Sequence, residues 1–536
     1  MKSTGHGFRR DAAAAISLVL IILFFALSSI DSSCYWGDDY AAYISEGIAI
    51  AEGRLDEQAK LNALMHPSPL PQEAGEGELV YVWGYPLLLS LVYKFSGFDR
   101  LGFEDIVYFK LPSVAALALL GAVLYLFFRR RFGGRLSFVM ALAICCCGEF
   151  FDFLNTLYSD MVFLFFAMLS ILLCELFLNS EKGRRKTALA LFFGLSLWYM
   201  YEVRLNGTSI VICCVLAHIF FLFRQRDRLR ETKLSSQLLP YAVFAVAVLI
   251  SQALLAKATS NNSDLGSGLD LMLFAGNVKS YLRLIGHWFG LLWNSILINP
   301  AYSILRRFAA VEFSSFTGLR EALVVLSYGF TVLGLVLRGR RENLHLSLLV
   351  VLYVLIASIL PYTQGLRYIY PLLPFILMYA VYGAVCCFER LPRPKARLRN
   401  VMGLLLSAYC CLFILYPHIS AFIEGDRGVN ELEVISSPSD VYMQNAYSPA
   451  AVEAYRFIIE NTDENGVFAF FAPRALHLNT QRVCLRPGVN GHSLEDADYY
   501  LRYLKVGDFP IDEEPGENFT LLFSNSEFVL YEKNGR

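Results

Sequence analysis

Two adjacent carboxylates, Asp38 and Asp39, follow the first long apolar run in Cys34-Tyr35-Trp36-Gly37-Asp38-Asp39-Tyr40. An acid pair at the rim of a bilayer is costly unless it is hydrated, paired or used. Placed there, a carboxylate can accept the proton of an attacking hydroxyl. A further acid, Asp160, closes Asn155-Thr156-Leu157-Tyr158-Ser159-Asp160 and opens another apolar run. Two guanidiniums stand at similar run ends: Arg204 in Tyr201-Glu202-Val203-Arg204-Leu205-Asn206, and Arg367 in Gly365-Leu366-Arg367-Tyr368-Ile369-Tyr370-Pro371. Guanidinium geometry suits a phosphate, and cations stabilise the charge growing on a departing one. Acids and cations converging in this way would suit one task, moving a group off a phosphate. Plain structural roles compete at each position. An Asp is a favoured helix N-cap, Arg367 could snorkel to the surface, and Glu202 could simply pair with Arg204.

The elements that must position these residues are membrane spans. Of 536 residues, 56% are hydrophobic and 17% charged, against about 25% charged in an ordinary soluble chain. Net charge is −1, so no global field points to nucleic acid. Most of the twelve cysteines sit inside apolar runs, where they act as small hydrophobes. Cys34 and Cys484 alone fall in polar segments, where a disulfide could join them. No Cys/His spacing reads as a zinc site.

Six basic clusters, beginning with Lys2, Arg9 and Arg10 and ending with Arg390 to Arg399, alternate with acidic loops. The positive-inside rule places all six in the cytoplasm. The reading is an α-helical polytopic membrane protein with eleven spans near 12–30, 107–128, 136–153, 160–178, 187–203, 207–223, 238–257, 321–337, 344–360, 368–388 and 400–417. The N-terminus is then inside, residues 1–417 form the membrane domain, and 418–536 form a small external α/β domain. The apolar stretches 84–97 and 278–298 read as helices at the outer interface. The first external loop runs from about 31 to 106. In the C-terminal part, Ser448-Pro449 opens a helix, Val467 to Phe471 reads as a strand, and Ser524-Asn525-Ser526 marks a hairpin. His287, Trp83 and Tyr85 read as interfacial residues.

WGDDYAAYISEGIAIAEG, after the first span, resembles the first-loop acidic motif of the GT-C glycosyltransferases. The resemblance is to the family 39 branch, with protein O-mannosyltransferases and bacterial lipid A aminoarabinose transferases. WGYPLLLSLVYKFSG, LYSDMVFLFFAML, RYIYPLLPF and the C-terminal YRFIIENT with VFAFFAPRALHLNTQRVC fit that class in order. The resemblance implies an inverting transferase in a bacterial plasma membrane with an extracytoplasmic site. Its donor would be a polyprenyl-phosphate sugar and its acceptor a lipid, glycan or protein hydroxyl. Asp38 would match the base, Asp39 its neighbour, Asp160 the second-loop acid, and Arg367 the basic residue heading the RY-x-x-P segment. Some members carry Lys-Pro-Pro in the first loop, where this chain has Gly84-Tyr85-Pro86. The phosphate must then fall to other cations, with Lys94, Lys110, Arg204 and Arg283 as candidates. The carboxylates could also hold a hard divalent cation. The rival readings are a lipid-linked glycan flippase or transporter, which would place polar residues and broken helices at mid-membrane, and a non-catalytic envelope-assembly protein.

Overall fold

The structure, a computed structural model, describes residues 5–37, 39–65, 80–98, 101–181, 183–224, 234–254, 271–305, 316–339, 344–359, 365–388, 396–424, 445–488, 492–504 and 515–535. Helix α1 (Gly5–Ser29) leads to α2 (Asp39–Glu52), α3 (Leu55–Met65) and α4 (Gly84–Ser96). A 3-10 turn (Asp105–Lys110) precedes α5 (Leu111–Arg129), α6 (Gly134–Cys145), α7 (Gly148–Asn155), α8 (Asp160–Leu178) and α9 (Arg184–Val203). Then come α10 (Gly207–Arg224), α11 (Leu234–Leu254) and α12 (Leu271–Trp293), which continues through a π turn into α13 (Asn299–Leu305). Next are α14 (Thr317–Gly334) and α15 (Leu344–Ile359), a 3-10 turn (Gly365–Leu372), α16 (Leu373–Phe388) and α17 (Ala396–Glu424).

Helix occupies the described part of all eleven stretches expected to cross, with 136–153 broken between α6 and α7 at Cys146-Cys147. Seven described helices are long and apolar enough to cross a membrane. Helix α4 has 13 residues, about 20 Å of rise, and falls short of a ~30 Å hydrocarbon core. Helix α12 packs along α14 and α15; Asn277, Lys279, Arg283 and His287 interrupt its apolar content.

The bundle is stitched by α1 on α5, α5 on α8, α8 on α9, α9 on α11, and α14 on α16. In lipid, where apolar burial gives no drive between helices, close backbone approach matters more. A Cβ on Gly334 of α14 would sit 1.9 Å from the Tyr379 carbonyl of α16, so only glycine lets these helices touch.

The described residues from 445 onward form an α/β unit. It contains α18 (Pro449–Asn461), α19 (Pro473–Thr480) and five strands: β1 (Val467–Ala469), β2 (Val483–Leu485), β3 (Tyr499–Tyr503), β4 (Phe519–Ser524) and β5 (Phe528–Lys533). Their order is β2-β1-β3-β5-β4. Strand β1 pairs parallel with β2 and β3, while β5 pairs antiparallel with β3 and β4. Ser448 caps α18, accepting the Ala451 N–H at 3.2 Å. Asn525 closes the β4–β5 turn by accepting the N–H groups of Glu527 and Phe528. Cys34 and Cys484 are both buried, and the disulfide that could have joined them is not formed.

Candidate active site

Asp160 is the first residue of α8, where the helix dipole favours an acid. The turn before it is strained. Leu157, fully buried, holds φ at 59°, a left-handed conformation that bulky side chains rarely adopt. This kink brings Tyr158, Ser159 and Asp160 to the mouth of the bundle. Arg204 lies just beyond α9 in extended backbone, φ −155° and ψ 132°. Its Nη1 pairs with Asp160 Oδ1, while Asp160 Oδ2 is buried with no hydrogen-bond partner among the described residues.

Arg367 enters the same place from the 3-10 turn before α16. Its guanidinium lies 4.7 Å above the Tyr158 ring and 5.7 Å from that of Tyr368, which Arg204 flanks at 5.8 Å. The two cations thus share one aromatic ring. Among the described residues, the charges of Asp160 and Asp39 reach Arg367. Asp39 opens α2, and its charge also reaches the Tyr81 hydroxyl. Tyr81 stacks on Tyr43 at 4.0 Å between centroids, and the Tyr43 hydroxyl meets Ser159 Oγ at 3.1 Å. Four of the five expected site residues (Asp39, Asp160, Arg204 and Arg367) therefore meet at one end of the bundle. Asp38 lies outside the described residues; its neighbour Gly37 adjoins the Tyr158 hydroxyl.

Behind Asp39 on α2 comes Glu46, fully buried. Its Oε1 accepts Asn62 Nδ2 at 3.1 Å and the Val80 N–H at 2.5 Å. Burial raises its carboxyl to about 8, against the pull of the Val80 N–H, the Arg474 guanidinium and Asn62. Asp39, Tyr43 and Glu46 are spaced i, i+4, i+7 on one face of α2. That spacing was the available signal for Tyr43 and Glu46. Nothing in the sequence ties Arg474, from α19, to this region.

Several expectations give way. Glu202 does not pair with Arg204; it accepts Ser251 Oγ at 2.5 Å on the far side of α9. Trp83 is not an interfacial belt residue, since its buried ring tilts against Trp198 at 5.6 Å. Nor is Tyr85, which is fully buried, edge-on to Tyr43 at 5.0 Å and bonded to Ser113 Oγ at 3.1 Å. Lys110 is spent as a staple: fully buried, it donates to the Asp31 and Ser33 carbonyls at 2.8 and 2.5 Å and to Asn155 Oδ1 at 2.8 Å. Lys94 and Arg283 are exposed. Gly84 has a steric cause, because a Cβ there would stand 2.4 Å from the Glu202 carbonyl oxygen. The lysine that some GT-C members carry in this motif has no room here. Of the expected phosphate ligands, Arg204 and Arg367 remain at the site.

Among the described residues no three His, Cys, Asp or Glu side chains group to hold a metal ion. Asp160 already faces two guanidiniums, and that charge balance disfavours a dication beside it.

No family model and no curated protein matches the sequence. Solved structures do match the fold. ArnT from Cupriavidus metallidurans bound to undecaprenyl phosphate aligns with a TM-score of 0.56 at 10% identity, covering 98% of each chain. The archaeal oligosaccharyltransferase AglB from Archaeoglobus fulgidus, in complex with an inhibitory peptide and a dolichol-phosphate, aligns at 0.51 and 11% identity. That alignment covers 91% of this chain and 69% of AglB. This chain carries several helices long and apolar enough to cross a membrane and shares the fold of these two structures, in keeping with its sequence resemblance to the GT-C glycosyltransferases.

Proposed function

We propose that the protein is a glycosyltransferase moving a sugar, hexosyl or pentosyl, from a polyprenyl-phosphate donor to an acceptor hydroxyl. The observation that carries this reading is the meeting of Asp39, Asp160, Arg204 and Arg367 at one bundle end. It gains support from the shared fold with a structure bound to undecaprenyl phosphate.

Arg204 and Arg367 hold the donor phosphate, and Asp160 keeps Arg204 in place. The acceptor oxygen attacks the anomeric carbon from the face opposite the phosphate. Its proton passes to Asp38, the role implied by the resemblance, with Asp39 in support. The bond from anomeric carbon to phosphate oxygen breaks, and its electron pair leaves on the polyprenyl phosphate between the two guanidiniums. One displacement inverts the anomeric centre. No step is routed through a metal. In this reading the membrane domain (1–417) crosses eleven times in a bacterial plasma membrane, the N-terminus is cytoplasmic, and the site and residues 418–536 are extracytoplasmic. The C-terminal unit covers the site and helps select the acceptor.

Purified protein given radiolabelled polyprenyl-phosphate sugar should transfer the label, and Asp38→Asn should abolish transfer while leaving the melting temperature unchanged. Full turnover by that variant would remove Asp38 as the base. Movement of intact donor across vesicles without sugar release would favour a flippase instead.

A further inference from the structure

The segment that delivers the acidic pair is built from two directions. From the bundle, Lys110 grips the carbonyls of Asp31 and Ser33. From the C-terminal unit, the Ala446 N–H donates to the Cys34 carbonyl at 2.6 Å, and Asn445 Oδ1 accepts the Cys34 N–H at 3.2 Å. Tyr35 and Asn445 form an isolated antiparallel bridge. Trp36 then leaves the bundle altogether. It is fully buried among five rings of the C-terminal unit: Tyr455, Phe470, Phe471, Tyr503 and Phe528, at 5.3 to 6.5 Å between centroids. Beyond the acids, Tyr40 is fully buried against Tyr447 at 6.0 Å. Helix α19 also packs on α2, bringing Arg474 within electrostatic reach of Glu46 and Tyr81.

Asp39 thus falls between two side chains, Trp36 and Tyr40, that are both seated against the α/β unit. The Arg204–Asp160–Arg367 cluster comes from the bundle alone. We infer that the C-terminal unit is a structural half of the active site, clamping the start of α2 and its Asp39 against that cluster, and that Trp36 is the positioning residue of the clamp. Catalytic groups displaced by about 1 Å can lose about 10²-fold in rate, so an anchor two residues before the acids has direct leverage on turnover. The effect on turnover rests on the glycosyltransferase reading; the clamp itself does not.

The full chain in lipid nanodiscs provides the test, through Trp36→Ala, Trp36→Phe and Asn445→Ala. Three readouts are needed: amide hydrogen exchange over 34–47, affinity for undecaprenyl phosphate, and turnover. Trp36→Ala should speed exchange over 34–47 at least about 10-fold, with α8 and α16 unchanged. It should lower turnover about 10²-fold while leaving undecaprenyl phosphate affinity within about 2-fold. Trp36→Phe should restore most of both losses, and Asn445→Ala should reproduce them more weakly. Unchanged exchange over 34–47 would overturn the clamp whether or not any donor is turned over. Wild-type turnover despite faster exchange would overturn the positioning role, as would phosphate affinity falling in step with turnover. Should the wild type transfer no sugar while exchange responds as stated, the clamp would stand and the glycosyltransferase reading would fail.

Discussion

Helix α8 carries a buried acid near each end, and the two are held in opposite ways. Asp160 sits in the first turn, where the helix dipole favours it, and among the described residues has one ion-pair partner, Arg204. Glu175 lies one turn from the C-terminus, where the dipole opposes it. It is surrounded: Arg131 and His345 face Oε1, His345 at 3.7 Å, and Arg130 meets Oε2 at 3.3 Å. Arg131 also rests on the Phe127 ring at 4.0 Å and donates to the Phe127 carbonyl. Both oxygens of Glu175 are engaged, and the cluster ties together α5, α8 and α15. Asp160 leaves one buried oxygen unengaged beside a second guanidinium. The cluster whose carboxylate is engaged at both oxygens is a joint. The half-satisfied one is where a ligand has something to gain.

This contrast breaks most sharply at Glu175. Glu175→Gln leaves Arg130 and Arg131 near a neutral amide, and removing one partner from a buried ion cluster costs about 3–5 kcal/mol. Thermal melting in detergent should show that loss, while turnover per folded molecule stays at the wild-type level. Lost turnover with unchanged melting would mean that the joint belongs to the reaction. At the other end, Arg367→Lys keeps the charge but loses the planar fork. Turnover should fall about 10²- to 10³-fold, the usual cost of one transition-state donor, with melting nearly unchanged. A lysine variant that turns over normally would remove Arg367 from the phosphate site.

The same contrast explains what could be read in the sequence. The helices were legible because apolar runs and basic clusters alternate, and Asp160 because a polar turn interrupts two such runs. The partner of Arg204 was not legible. Glu202 is two residues away, and at about 100° per residue i and i+2 point to opposite sides of a helix. Glu202 accordingly faces Ser251, while the extended backbone at Arg204 turns the guanidinium to Asp160. Lys110 was visible as a cation at a run end, but not the three oxygens that consume it. The break at Cys146-Cys147 did leave a mark, Gly148-Glu149 directly after it, inside a stretch long enough to read as one span. Trp36 was visible as an aromatic beside the acids; its five partners lie more than 400 positions downstream, beyond any local pattern.

Glu46 offers a third way to hold an acid, and the gentlest test. Asp160 and Glu175 are charge-paired; Glu46 is buried with an amide and a backbone N–H and is driven from its ordinary 4.5 to about 8. The folded chain therefore keeps a proton that the unfolded chain has already released. The stability tied to this proton is fully present below about pH 4.5 and is lost as pH rises to about 8, with a slope of at most about 1.4 kcal/mol per pH unit. Glu46→Gln replaces the neutral acid with a neutral amide of the same shape, so it should remove that slope. The measurement is the melting-temperature difference between wild type and variant from pH 5 to 8. The wild type should lose ground steadily across that window. A difference that stays flat would mean that Glu46 is already ionised, with Arg474 as its working counter-ion. The C-terminal unit would then hold α2 through an ion pair like those of α8, rather than through apolar and hydrogen-bonded contacts.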